Sequence, residues 1–252
     1  MREGDDFRLG GHDARSLALR LGLPAVHARE RLASTMDEAH RLAAEGALAG
    51  CLVIADAQTA GRGRGGRRWA SPPGYGLWLT LIERPDDPAG IEVLSLRLGV
   101  RLAERLEPFA GAPVGVKWPN DLIVDGRKLA GILVEARWRG GRPDWVALGV
   151  GVNVVAPDDI PTSAGLPDGV DRLEVLEELV PAMRAAAARR GALDADELAR
   201  YAARDVAMGR PCDAPVRGRV RGVAADGALL VDTGADVVQC RGGSLVLAEE
   251  RA

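Results

Sequence analysis

Apolar residues recur along the chain with two different periods. Leu94, Leu98, Leu102 and Leu106 return every four residues. That spacing lines one helical face and predicts an amphipathic helix over 91–107, with Arg97, Arg101 and Glu104 turned outward. Ser34-Thr35, followed by Asp37 and Glu38 at the head of a second periodic run, predicts a hydroxyl-capped helix over 37–44. Shorter, continuously apolar runs at 51–55, 77–82, 122–124, 129–136 and 145–155 predict strands. Asp125-Gly126 between two of these runs is a strong two-residue hairpin signal, and Gly140-Gly141 is a second turn. A Pro/Asp/Gly-rich loop over 156–169 precedes helices near 171–190 and 194–206. Short Val/Leu strands broken at Asp226-Gly227 and Thr233-Gly234 then predict a small antiparallel barrel. Residues 1–33 are polar and Arg-rich around one short apolar stretch at 17–21.

Because the strands adjoin through tight turns, a doubly wound parallel sheet is not expected. The expected fold is α+β: a mixed, largely antiparallel sheet with helices, followed by a small β-barrel. The break falls near Gly209-Arg210-Pro211, dividing the chain into 1–206 and 207–252.

Composition narrows the class. A 47% hydrophobic and 27% charged chain has enough apolar residues for a packed core and is neither disordered nor fibrous. No run approaches the ~18 uncharged apolar residues of a membrane helix, and the start, Met1-Arg2-Glu3-Gly4, lacks the apolar region of a signal peptide. Cys51, Cys212 and Cys240 show no CxxC spacing, so a cytoplasmic location with neither disulfide framework nor zinc ribbon is expected. The net charge of −3 argues against general nucleic-acid binding. The cations themselves are lopsided: 31 are Arg and two are Lys, Lys117 and Lys128. A lysine retained in such a chain points to a place that needs a compact ammonium.

Three segments carry candidate chemistry. The first is Gly61-Arg62-Gly63-Arg64-Gly65-Gly66-Arg67-Arg68-Trp69. It contains a formal GxGxxG, but Arg-Arg-Trp-Ala-Ser-Pro-Pro beyond Gly66 cannot open the apolar helix of a dinucleotide fold. Neither kinase motifs nor a P-loop occur. Three readings stay open: a loop that wraps a phosphate or carboxylate, an RGG-like nucleic-acid tether, or a solvated loop. The second is Lys117-Trp118-Pro119-Asn120-Asp121, where Pro119 favours extended geometry and Lys117 could sit between two anions. Its last two residues could equally form a turn. The third comprises 128–135 and 149–154, where Gly131, Gly149 and Gly151 interrupt strands and mark either a ligand or close sheet packing. Asn153, polar within an apolar run, needs a backbone or ligand partner. Arg217, Arg219 and Arg221 share one strand face, read as solvated in preference to a contact with an acidic partner or with phosphates.

Taken together and in this order, GRGRGGRRW, KWPND, KLAGILVE and GVGVN resemble the catalytic domain of the biotin protein ligases, which is class II synthetase-like. The segment opening at Gly209 resembles that family's SH3-like C-terminal domain. The resemblance implies activation of biotin with ATP to biotinyl-5′-AMP and pyrophosphate, then transfer to a lysine of a biotin carboxyl carrier domain. Biotin and ATP are the implied substrates and Mg2+ the implied cofactor, with no metal cluster legible in the chain. A monomer or homodimer acting on neither DNA nor membrane is expected.

By similarity, Lys117, Arg62 and Arg64 are the expected catalytic groups. Ser34, Thr35, Gln58, Gly63, Gly131 and Leu133 join them around biotin, and Arg67, Gly149, Gly151 and Asn153 around the adenylate. Trp69 and Trp118 supply apolar surface or core. Met36 stands where the family commonly has Asn. Only 33 residues precede Ser34, too few for a winged helix-turn-helix, so repressor activity is not expected. A lipoate–protein ligase and an RGG-like nucleic-acid module are the competing functions. None of the three histidines lies in a motif.

Overall fold

The computed structural model describes residues 7–157 and 159–248. Asp125 and Gly126 both have positive φ (48° and 73°), the backbone of a tight two-residue turn. They join β5 (Asp121–Val124) to β6 (Arg127–Arg139), which returns as β7 (Arg142–Asn153). Before them in the chain lie α1 (Ala14–Leu21), β1 (Val26–Leu32), α2 (Thr35–Ala44), β2 (Cys51–Gln58), β3 (Gly76–Glu83), α3 (Pro88–Glu92), α4 (Leu94–Ala110) and β4 (Gly115–Lys117). The main sheet runs β1-β2-β3-β7-β6-β5-β4. Only the β1–β2 pair is parallel, so the sheet is mixed and largely antiparallel as expected. Residues 7–33 thus contribute a helix and an edge strand, for which their polar composition gave no signal.

Alternation along the strands separates two faces. Leu52, Ile54, Leu79, Leu81, Leu148, Val150 and Val152 join the large core, packed beneath α4 and α5 (Arg172–Ala187). On the opposite face Cys51, Val53, Ile82 and Trp145 pack against Ala39, Leu42 and Ala43 of α2. That second face also carries Thr80, Gly131, Leu133, Gly149 and Gly151 at cross-strand positions: Thr80 opposite Gly149, Gly149 opposite Leu133, and Gly151 opposite Gly131.

One expectation is overturned. Arg97 does not face solvent: its side chain is 1% exposed and binds Glu197, itself 7% exposed, through Nε (2.7 Å) and NH2 (3.0 Å). The polar stripe of α4 is covered by α6 (Ala195–Ala202), whose Glu197 supplies the counter-charge, so periodicity marked a polar face but not its partner. Glu104 on the same stripe binds Arg200, and Arg101 Nε is buried.

Beyond α6, β8 (Pro211–Ala214), β9 (Gly218–Val223), β10 (Leu229–Asp232), β11 (Val237–Cys240) and β12 (Val246–Leu247) form a separate antiparallel sheet, ordered β11-β10-β9-β8-β12. It contacts the main body at the motif segments. Trp118 Nε1 donates to Gly227 O (3.1 Å), Arg64 to Gly243 O, and Arg67 NH2 to Ser244 Oγ (2.8 Å). No helix among the described residues is long and apolar enough to cross a membrane.

Candidate active site

A cavity of about 120 Å³ opens on the glycine-bearing face. Its floor is bare because the facing side chains need the room. A Cβ on Gly131 would stand 2.8 Å from the Trp69 ring, one on Gly151 2.6 Å from Trp69 Nε1, and one on Gly149 2.7 Å from Met36 Cε. Trp69 therefore lies flush on two adjacent strands, edge-on to Trp78 at 6.3 Å between ring centroids. Its Nε1–H is buried without a hydrogen-bond partner.

One corner of the cavity is polar. Ser34 caps α2, its hydroxyl accepting from Met36 N (3.2 Å). Gln58 Oε1 accepts from Thr35 N (2.8 Å) and Thr35 Oγ1 (3.1 Å), and Thr80 Oγ1 donates to Thr35 Oγ1 (2.9 Å). The Gln58 amide donates to Ser71 Oγ (2.8 Å). Met36 lies among these groups as an apolar wall.

The rim is cationic. The Arg/Gly segment folds back on itself, with Gly63 N donating to Arg67 O (2.7 Å) and Trp69 N to Gly61 O (2.9 Å), and sets Arg62, Arg64, Arg67 and Arg68 around the opening. Arg64 lies 5.9 Å from the Trp118 ring; burial, and after it repulsion from Arg67, lower its pKa. Arg62 is shared between Asp37 (2.7 Å) and Glu135 (2.5 Å).

The lysine that reaches the cavity is Lys128. Its Nζ is 2.6 Å from Asp121 Oδ1 and 4.9 Å from the Trp69 ring centroid. A β-bulge puts it there. Leu122 pairs with Ala130 but Ile123 pairs with Lys128, which leaves Leu129 as an extra residue on β6. Leu129 and Ala130 both turn into the core, so Lys128 joins Gly131 and Leu133 on the cavity side.

Of the residues expected at the site, Ser34, Thr35, Gln58, Arg62, Gly63, Arg64, Arg67, Gly131, Leu133, Gly149 and Gly151 line this cavity. Lys117 and Asn153 are outside its lining. Asn153 donates from Nδ2 to Lys128 O (3.3 Å), bracing the bulge. Asn120 likewise clamps β6 through Ile132 O (2.8 Å). Not expected in the lining from sequence were Arg68, Thr80, Asp121 and Lys128, the last noted for its motif without a mechanism. The arginines of β9 have internal partners: Arg221 binds Asp232, and Arg219 donates to Gly209 O.

No group of three or more His, Cys, Asp or Glu able to hold a metal ion occurs among the described residues. Asp121 is the carboxylate on the cavity lining, and Lys128 already engages it. These residues do not suit a protein-held Mg2+; an ion arriving on nucleotide phosphates is part of the substrate.

A glycine-floored pocket under a basic loop lies on a mixed, largely antiparallel sheet, with a smaller antiparallel C-terminal sheet against the loop. The chain belongs to the biotin/lipoate A/B protein ligase family, whose model matches residues 29–153. It is 34% identical over 224 residues to a biotin–[acetyl-CoA-carboxylase] ligase of Mycobacterium tuberculosis, covering 81% of this chain and 82% of that one. It is 40% identical over 160 residues to the bifunctional ligase/repressor BirA of Bacillus spizizenii, covering 59% of this chain. That match spans 49% of the relative, so the chain accounts for about half of that protein's length. A biotin protein ligase from Aquifex aeolicus, solved in complex with biotin and ATP, superposes with a TM-score of 0.72, covering 88% of this chain and 97% of that one; at 24% identity this is a likeness of fold.

Proposed function

We propose that the protein is a biotin–protein ligase. A biotin carboxylate oxygen attacks the α-phosphorus of ATP, the bond to pyrophosphate breaks, and biotinyl-5′-AMP forms. The ε-amine of an acceptor lysine then attacks the anhydride carbonyl, and AMP leaves. The acceptor is a biotin carboxyl carrier domain. The observation that carries the reading is the convergence of Lys128, Arg62, Arg64, Arg67 and Arg68 on one glycine-floored cavity.

The first step drives two anions together, and compact or forked cations fixed at the meeting point lower that barrier. Lys128 takes the bridging role that the sequence suggested for Lys117, because Lys128 is the lysine on the cavity. The arginines hold phosphates and carboxylate. Thr35, Gln58 and Ser34 face the ureido end, and Trp69, Met36 and Leu133 the apolar rings. The division into a ligand-binding unit (1–206) and an SH3-like unit (207–252) belongs to the same proposal. The contacts of Arg64 and Arg67 with Gly243 and Ser244 give the second unit a hold on the loop.

ATP–pyrophosphate exchange that depends on biotin tests the proposal. Exchange with lipoate and none with biotin would assign the other branch of the family. Salt-sensitive RNA binding without exchange would return the Arg/Gly loop to a nucleic-acid role.

A further inference from the structure

His40 has no part in the chemistry above, yet it anchors a chain of hydrogen bonds that ends on the loop. Trp145 Nε1 donates to His40 Nδ1 (2.9 Å) inside the protein. An indole N–H can only donate, so Nδ1 carries no hydrogen and the imidazole hydrogen sits on Nε2. Nε2–H then donates to Glu135 Oε2 (2.9 Å). The other carboxylate oxygen, Oε1, accepts from Arg62 NH2 (2.5 Å).

Glu135 and Trp145 lie on the same face of the β6–β7 hairpin as the cavity floor. From Leu133 opposite Gly149, the ladder continues to Glu135 opposite Ala147 and Arg137 opposite Trp145. His40 reaches this face from α2, with its side chain 10% exposed, whereas Arg62 is 38% exposed on a glycine-rich loop. The second partner of Arg62, Asp37, is 57% exposed and holds it weakly. The buried end of the chain therefore sets the plane of the Glu135 carboxylate, and that carboxylate sets the guanidinium.

We propose that His40 is a positioning residue for Arg62: acting through Glu135, it holds the loop arginine in the orientation that meets an anionic ligand. The inference rests on the biotin-activating reading for the identity of that ligand. The hydrogen-bond chain itself needs no ligand, and the test uses this.

The first measurement is tryptic cleavage after Arg64 in the ligand-free protein, run as a double-mutant cycle. His40→Leu should speed cleavage roughly five-fold in the wild-type background and add less than about two-fold in an Arg62→Ala background. Glu135→Gln, whose side chain cannot accept from both His40 and Arg62, should behave like His40→Leu and serves if that variant does not fold. His40→Gln can accept from Trp145 with its oxygen and donate to Glu135 with its amide, so it should restore the wild-type rate.

The second measurement is biotin-dependent ATP–pyrophosphate exchange. His40→Leu should raise KM for biotin by roughly five-fold with kcat changed less than about two-fold, and His40→Gln should recover KM. Equal acceleration of cleavage in both backgrounds would make His40 a packing residue and overturn the proposal, as would no acceleration in either. If the wild type shows no exchange with biotin, the biotin reading fails, and the tryptic cycle alone decides the role of His40.

Discussion

Replacing Lys128 by Gln removes a cation while keeping most of the side chain's length. In the ligand-free protein the lysine makes one ion pair with Asp121, at 2.6 Å with both side chains about a quarter to a third exposed, and one cation–π contact at 4.9 Å. Partly exposed pairs contribute only about 0–1 kcal/mol, and an exposed cation–π contact about 0.5–1 kcal/mol, so the fold should lose at most ~2 kcal/mol. Catalysis should suffer far more. A bridging ammonium makes charge-assisted hydrogen bonds to both the carboxylate and the α-phosphate. At about 1.5–3 kcal/mol each, their loss amounts to roughly 3–6 kcal/mol. With about 1.4 kcal/mol per ten-fold in rate, adenylation should fall roughly 10²- to 10⁴-fold. Lys117→Gln, at a side chain outside the cavity lining, should cost no more than about ten-fold. The assay is single-turnover formation of biotinyl-5′-AMP from biotin and Mg-ATP, read alongside a urea melt. If Lys128→Gln kept its rate within about three-fold while Lys117→Gln lost it, the bridging role would belong to Lys117 and the reading of the bulge would be wrong.

Three further outcomes follow from the geometry. Glu197→Ala leaves the buried Arg97 guanidinium without its counter-charge, held only by the carbonyls of Arg189, Gly191 and Ala192, and should cost about 3–5 kcal/mol in a urea titration; a loss below ~1 kcal/mol would mean that those carbonyls and water replace the carboxylate. Asp205 has one buried oxygen without a partner, and burial raises its pKa to about 6. Its folded value lies above the unfolded value of about 3.9, so the stabilising protonated form is complete below about pH 4 and is lost as pH rises through 6. At about 1.4 kcal/mol per pH unit, ionisation costs up to ~3 kcal/mol. Asp205→Asn should therefore raise Tm at pH 7.5 relative to pH 4.5, and an unchanged difference would refute the assignment. Gly151→Ala puts a methyl 2.6 Å from Trp69 Nε1 and should drive the indole off the floor. Biotin titration by calorimetry should then weaken by about ten-fold or more, and unaltered affinity would show that the floor tolerates a side chain.

Much of the site was legible in the chain because its signals are local. Glycines inside apolar strands marked the floor, the Arg/Gly loop marked the rim, and Ser34-Thr35 marked the cap that brings Gln58 into contact. What escaped was set by tertiary register. Lys117 and Lys128 look alike in sequence; one extra residue at Leu129 turns Lys128 to the cavity, and a bulge leaves no trace in hydrophobic periodicity. His40 gave no signal because its partners, Glu135 and Trp145, lie 95 and 105 residues away. Arg97 failed differently: its place on a polar stripe was correct, and only the docking of α6 made that stripe an interior one.

The central claim is that this cavity joins biotin to a protein through an adenylate. Incubating the protein with biotin, Mg-ATP and a biotin carboxyl carrier domain, then weighing the carrier by intact-mass spectrometry, tests it most directly. The carrier should gain one biotinyl group on a lysine, only when ATP is present, and should gain none with the Lys128→Gln variant. An unmodified carrier, or one that takes lipoate and leaves biotin untouched, would contradict the claim.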